Sequence, residues 1–284
     1  MLFENVSAEL AEQARINLDN DGFKWMEEKI KATLGLRTSR DFFMTYSLLA
    51  SKLDPERRLK QVPSDSGTVQ YLYSQKATVL QVGRVYLLVC ALEADKDFFS
   101  PNVARIIQVA DTGELETFLK YLVLLPSAEN YKYVAVDALR TNIATVFDAI
   151  ALNNPYPGRY FDDAQWNQMY LKAAFMQRDL DQIMDVDKRA NGDLARIISD
   201  YAHERWAASR TVDPYFWRPV SPFLQGPLLQ DMKRLLESAD PLENRVGALC
   251  CSLSKKEGAQ KLLSQYPDLE REITENKISW KNLK

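Results

Sequence analysis

The chain has 284 residues, 46% of them hydrophobic, with 36 Lys or Arg against 39 Asp or Glu and a formal net charge of −3. This balance is globular and allows one large domain or two small ones. It excludes the basic stripe that nucleic-acid binding requires and the apolar-poor composition of a disordered chain.

The elements read as helices from end to end. The opening MLFENVSAELAEQA carries acidic residues and lacks the apolar segment of a secretory signal. Apolar spacing near 3.6 predicts helices over 7–17, 21–34, 39–52 and 67–94, the last bent near Gly83. Helices over 101–110, started by Ser100-Pro101, and over 113–125 follow, then one over 128–152 broken near Arg140. The apolar run from Val85 to Leu92 is far below the ~20 residues that cross a bilayer, so a cytoplasmic protein is expected. Asn153-Asn154-Pro155-Tyr156-Pro157-Gly158 is expected to be a rigid non-helical loop, because two prolines restrict φ and the residues before them.

Beyond that loop, helices are predicted over 162–177, 193–209, 226–238, 241–252, 255–265 and 268–275. Asp162 with Gln165, Gly226-Pro227, Asp240-Pro241-Leu242-Glu243 and Ser254 with Glu257 supply the start signals. Convincing period-2 strands are absent. The expected fold is all-α: stacked antiparallel helical hairpins, α-solenoid and HEAT-like towards the C-terminus. It is expected to be one domain, with an N-terminal helical region (1–135), a signature centre (136–223) and a C-terminal tail (224–284). Cys250 and Cys251 are adjacent. Helical neighbours point about 100° apart, so a disulfide framework is not expected and a reducing compartment is.

Polar and aromatic residues concentrate between Arg140 and Trp217, which hold three of the five Trp and the only His. His203 has Asp200 at i−3 and Glu204 beside it. Either carboxylate would orient the imidazole as a base, and a half-buried structural His is the plainer alternative. One His and three Cys without ligand spacing do not make a zinc site. Asp162 and Asp163 resemble paired carboxylates, but Asp162 reads more simply as a cap. Trp166 lies on a helical core stripe, and Asn167, a weak helix former, needs a reason to sit mid-helix. Arg140, Lys188 and Arg189, with Asn142 and Asn191 nearby, would hold an anion; ion pairing with Asp185, Asp187 and Asp193 is the structural alternative. Trp206, Trp217 and Arg218 would stack around a ligand or anchor the core.

The strings RTNIATVFDAIALNNPYPGRYFDDAQWNQMYLKAAF, DKRAN and DYAHERWAASR, followed by PYFWRPVSPF, resemble the EboA-domain family. The close resemblance covers about 138–223; the tail ending ISWKNL fits, and the first ~135 residues match only in helical character. Matching positions are Arg140, Asn142, Asn153, Asn154, Pro155, Tyr156, Asn167, Lys188, Arg189, Asn191, His203, Glu204, Arg205 and Trp206. The Asp-Pro-Tyr-Phe before Trp217 departs from the family pattern. The resemblance implies an ebo-type gene cluster, which also encodes a UbiA-type prenyltransferase, a TatD-type hydrolase, a sugar-isomerase-like and a dehydroquinate-synthase-like protein. It implies a role in making or exporting a secondary metabolite, and it transfers no catalytic residue, cofactor or metal.

Two functions fit these observations. The first is a non-catalytic binding or scaffold protein, with a prenylated or anionic metabolite or proteins of the same cluster as partners. Its ligand residues would be Arg140, Asn142, Asn153, Asn154, Tyr156, Trp166, Asn167, Lys188, Arg189, Asn191, His203, Arg205 and Trp206. The alternative is a transferase or isomerase on a prenylated or cyclitol-like substrate, with His203 as base oriented by Asp200 or Glu204. A purely structural all-α subunit without a ligand is a third reading.

Overall fold

The computed structural model describes residues 3–283. Among them are 18 α-helices and no sheet, so the fold is all-α. No helix among the described residues is long and apolar enough to cross a membrane. The chain divides into two compact units, one ending at Ile150 and the other beginning at Ala151.

The first unit contains α1 (Val6–Asn17), α2 (Asn20–Leu36), α3 (Ser39–Leu48), α4 (Gly67–Ser74), α5 (Val79–Ala94), α6 (Lys96–Ala104), α7 (Ile106–Val109), α8 (Thr112–Tyr121) and α9 (Lys132–Ala138). The next helix, α10 (Ala144–Ala151), reaches the boundary. Most of α5 is buried, and α1, α2, α6 and α8 pack around it. A helix apolar on all sides belongs in a core, and this one is its axis.

The single helix expected over 67–94 is two. Lys76 takes the left-handed conformation, and Thr78 opens α5 with a capping box to Gln81. Gly83 leaves α5 continuous. It admits Leu53, whose Cδ1 would lie 2.4 Å from a Cβ at that position. Nor does Pro101 start a helix: α6 begins earlier, where the Asp95 carboxylate accepts from Phe98 N. The break expected near Arg140 is present, between α9 and α10.

Where α3, α5 and α8 meet, Arg84 and Glu114 form an ion pair at 3.4 Å with side chains only 6% and 7% exposed. Arg84 Nε donates to the Tyr46 carbonyl, and Tyr46 OH donates to the Glu114 carbonyl. The guanidinium also lies over the Tyr46 ring. Burial pushes the Tyr46 phenol far above its ordinary range, so it stays a neutral donor.

The second unit contains α11 (Tyr156–Tyr160), α12 (Asp163–Phe175), α13 (Val186–Arg189), α14 (Gly192–Ala207), α15 (Pro227–Leu236), α16 (Pro241–Leu253), α17 (Glu257–Leu263) and α18 (Pro267–Thr274), with a 3₁₀ segment at Pro214–Phe223. Here α16 is central, against α15, α17, α18 and the 3₁₀ segment. Gly226 at φ 53° and ψ −125° turns the chain into α15, a conformation that strains any side chain, and Pro227 starts the helix.

Two local expectations are corrected. The proline loop is partly helical, because Tyr156, Pro157 and Gly158 open α11 and Pro157 sits in the first turn, where its missing N–H costs nothing. The turn itself is made by Asn153, left-handed at φ 52°, and by Asn154, whose carboxamide accepts from Tyr156 N. The capping box expected for Ser254 and Glu257 does not form. Glu257 is the first residue of α17, too early to reach back as a third-position carboxylate, and Gln260 bonds the Cys251 and Ser254 carbonyls instead.

Both cores make measurable claims. Glu114→Ala strands the buried guanidinium and should cost about 3–5 kcal/mol. Urea unfolding reads this, and a midpoint shift equal to that of an exposed-surface variant would contradict it. Burial also pushes the Cys90 thiol up to about 11, that of Cys251 up to about 12, and that of Cys250 higher still. Unfolded thiols ionise near ~8.5, so the neutral forms favour the fold fully below that pH and less above it. The denaturation midpoint should hold from about pH 7 to 8 and fall between about pH 9 and 11. A flat midpoint across that window would refute the assignment.

Candidate functional site

The sequence-predicted residues fall into three groups. Arg140 and Asn142 lie in the unit that ends at Ile150, both exposed, and Arg140 pairs with Asp137 at 3.3 Å. The other candidates lie in the second unit, and most of them close its loops. Arg189 Nη1 donates to the Phe161 carbonyl at 2.8 Å and the Gly158 carbonyl at 3.3 Å, Nη2 meets Asp163, and the guanidinium covers buried Trp166. Lys188 pairs with Asp185 at 2.8 Å. Asp185 in turn approaches Gly158 so closely that a Cβ there would meet its Oδ2 at 2.6 Å.

Asn167 and Asn191 exchange amide hydrogen bonds at 2.8 and 3.1 Å, and Asn191 Oδ1 caps α14 by accepting from Leu194 N. This is the reason Asn167 sits mid-helix. Asn153 spans to Gln182 through backbone and side chain, and Tyr156 is fully buried against Tyr160 and Phe161. The donors of Lys188, Arg189 and Asn191 are therefore engaged with protein groups, as ion pairs, loop clamps and a cap.

The third group lies where α14 packs on α15. Ser199, His203 and Trp206 recur at i, i+4 and i+7, and so share one face of α14. Asp231 and Arg234 share one face of α15. Asp231 is 3% exposed. Its Oδ2 accepts from Ser199 Oγ at 2.5 Å and its Oδ1 lies 2.6 Å from His203 Nε2. The imidazole thus turns Nε2 towards Asp231 and Nδ1 away from it. No hydrogen bond to Nδ1 occurs among the described residues, and the His203 side chain is 52% exposed. Asp200, expected to orient the ring, is instead paired with Arg196 at 3.0 Å. Glu204 is exposed on the same helix, and the carboxylate against the ring is Asp231.

One turn further, Trp206 is half-buried. Trp217 stacks on it with centroids 5.5 Å apart, His203 tilts against it at 5.7 Å, and the Arg234 guanidinium lies 4.1 Å from its ring centre. Trp206 and Arg234 line an open cleft of about 590 Å³ together with Gln230, Lys233, Glu237, Ser238 and Glu243. Arg205, also predicted, points elsewhere: its Nε donates to the Thr211 carbonyl, and it borders a second cleft of about 660 Å³.

This geometry limits the chemistry. Ser199 gives its proton to Asp231 rather than to His203, so it is not set up as a nucleophile. The Asp231–His203 pair fixes an imidazole with its second nitrogen outward, suited to accept or donate one hydrogen bond. Trp206 offers an aromatic surface beside it. Ser199, Asp231 and Arg234 were not singled out from the sequence. Their one signal is spacing, Ser-x3-His-x2-Trp on one helix and Asp-x2-Arg on the other.

A family model described as metabolite traffic protein EboA matches residues 6–221. The match takes in nearly all of the first unit, where the sequence resemblance was only in helical character. It stops before α15, so His203 and Trp206 lie inside it and Asp231 and Arg234 beyond it. No curated protein and no solved structure matches the chain.

Asn191→Ala removes both the α14 cap and the partner of Asn167, and should cost about 2 kcal/mol. Thermal unfolding of the variant checks this; an unchanged Tm would show that the amide pair does not hold the loop.

Proposed function

The chain belongs to the EboA family, and from that premise we propose that it holds a small metabolite at the α14–α15 cleft without transforming it. The family's description points to a metabolite-related role. The finer reading is a binding protein of an ebo-type pathway for making or exporting a secondary metabolite, with proteins of the same cluster as its receivers.

The observation that carries the reading is Trp206. A half-buried indole braced by Trp217 and Arg234 is a rigid aromatic face, and it opens on a cleft large enough for a small ligand. Its rotamer is fixed before any ligand arrives, which spares the ordering cost of binding. The loop-closing residues support the reading indirectly. Arg189, Asn167 and Asn191 tie α12 and α13 to the start of α14, the helix that carries His203 and Trp206.

A second reading is favoured by one contact. The buried Asp231 carboxylate behind His203 is the arrangement of a general base, and suits a transferase or isomerase acting on a prenylated or cyclitol-like substrate. Single-turnover assays separate the two: the binding reading expects ligand returned unchanged, and conversion lost in His203→Ala would favour the enzyme.

Thermal-shift screening against prenyl phosphates, aromatic acids and cyclitols should find ligands that raise the Tm of the wild type. At a hundredfold excess over Kd the stabilisation is about 2.7 kcal/mol. Trp206→Ala should abolish the response, and an equal response from the variant would place binding elsewhere.

A further inference from the structure

We infer that the ligand of this cleft is a singly charged carboxylate attached to a flat or unsaturated body. The inference rests on the binding reading above and adds the chemical class of what is bound.

Arg234 carries it. A guanidinium that covers an indole presents its face to the ring and leaves its N–H donors pointing outward along its edge. No carboxylate lies within ion-pair distance of Arg234 among the described residues, and no hydrogen bond from it occurs there. Arg218, Arg196 and Arg189 of the same unit are engaged, by both oxygens of Asp187, by Asp200, and by Asp163 with two carbonyls, while Arg210 and Arg245, which share the lack of a side-chain partner among the described residues, do not line this cleft. Arg234 is thus a pre-positioned fork beside an aromatic surface, and a carboxylate is the group that matches a fork with two parallel hydrogen bonds. Trp206 supplies the surface for the flat body, and Gln230 adds an amide on the same lining.

The charge of the lining selects the anion. Lys233 and Arg234 are balanced by Glu237 and Glu243, and Lys233 already pairs with Glu237 at 3.8 Å. A cleft of balanced charge accepts one negative charge at an unpaired guanidinium. It opposes a second negative charge, because the cost of taking an anion out of water rises with the square of its charge while the attraction of the one unpaired guanidinium rises only in proportion. A phosphate monoester, close to a dianion at neutral pH, is disfavoured on that ground. The positions of Arg234 and Glu243 lie outside the span matched by the family model, so this selectivity belongs to the C-terminal helices of this chain.

Ligand-observed NMR titration of the full chain with three probes tests the inference: benzoate, phenyl phosphate and benzyl alcohol. Benzoate should bind with a Kd on the order of millimolar, as expected for so few atoms, and phenyl phosphate and benzyl alcohol at least several-fold more weakly. Arg234→Gln should weaken benzoate about tenfold, while Lys233→Gln, which removes a cation already paired, changes it less than twofold. Far-ultraviolet circular dichroism of both variants guards against unfolding. Benzyl alcohol binding as tightly as benzoate, in a manner that needs Trp206 but not Arg234, would overturn the carboxylate class and leave the metabolite reading standing. Phenyl phosphate binding more tightly than benzoate would also overturn it. Failure of all three to bind would sink the inference, and the metabolite reading would then be decided by its own thermal-shift screen.

Discussion

A carboxylate taken out of water needs donors, and Asp231 takes both of its own from α14. Ser199 and His203 are one turn apart, so meeting them with the two oxygens of one side chain fixes the register of α14 against α15. Once that register is set, the next turn of each helix brings Trp206 and Arg234 together. The aromatic face, the uncommitted guanidinium and the outward imidazole nitrogen are all consequences of one buried acid. Removing Asp231 would loosen the α14–α15 contact that brings them together, leaving Trp206 only its stack on Trp217.

The first unit answers a buried charge in the same manner and to a different end. Glu114 is met by Arg84, capped by its own helix start and enclosed by Tyr46, so its acceptors are consumed within the core. The contrast separates structural from functional polarity in this chain. Where a polar side chain is bonded to protein groups, as with Arg84, Arg189 or the Asn167–Asn191 pair, it holds the fold. Where a fixed side chain keeps donors or an aromatic surface unspent, as with Arg234, His203 and Trp206, it is available to a ligand.

Much of the fold was legible in the sequence because helical periodicity, proline placement and acidic caps are local signals. The Asp162–Gln165 box, the Gly226-Pro227 start and the break after Arg140 all involve residues within a few positions of one another. The misreadings were local too. Gln75–Thr78 looks tolerable in a helix, and only the left-handed Lys76 and the Thr78 cap reveal two helices. Ser254 and Glu257 have the spacing of a box, but the helix starts too late to use it.

The site was legible only in places. His203 and Trp206 stand out as the only His and one of five Trp, and the family resemblance surrounds them. Their partners were hidden, because Asp231 lies 28 residues beyond His203 and only packing brings it there. Asp200 looked like the partner because i−3 is a helical neighbour, yet its nearest cation at i−4, Arg196, claims it. Lys188 and Arg189 looked like ligand groups because charge is visible in a sequence and its neutralisation by Asp185, Asp163 and backbone carbonyls is not. The most direct test of a ligand site at Trp206 is an amide and indole NMR spectrum of the nitrogen-labelled protein, with Trp206 assigned by Trp206→Phe. On adding the ligand that gives the largest thermal stabilisation, the Trp206 indole N–H should shift and that of Trp25 should not. A bound ligand that leaves the Trp206 signal in place would contradict a site there.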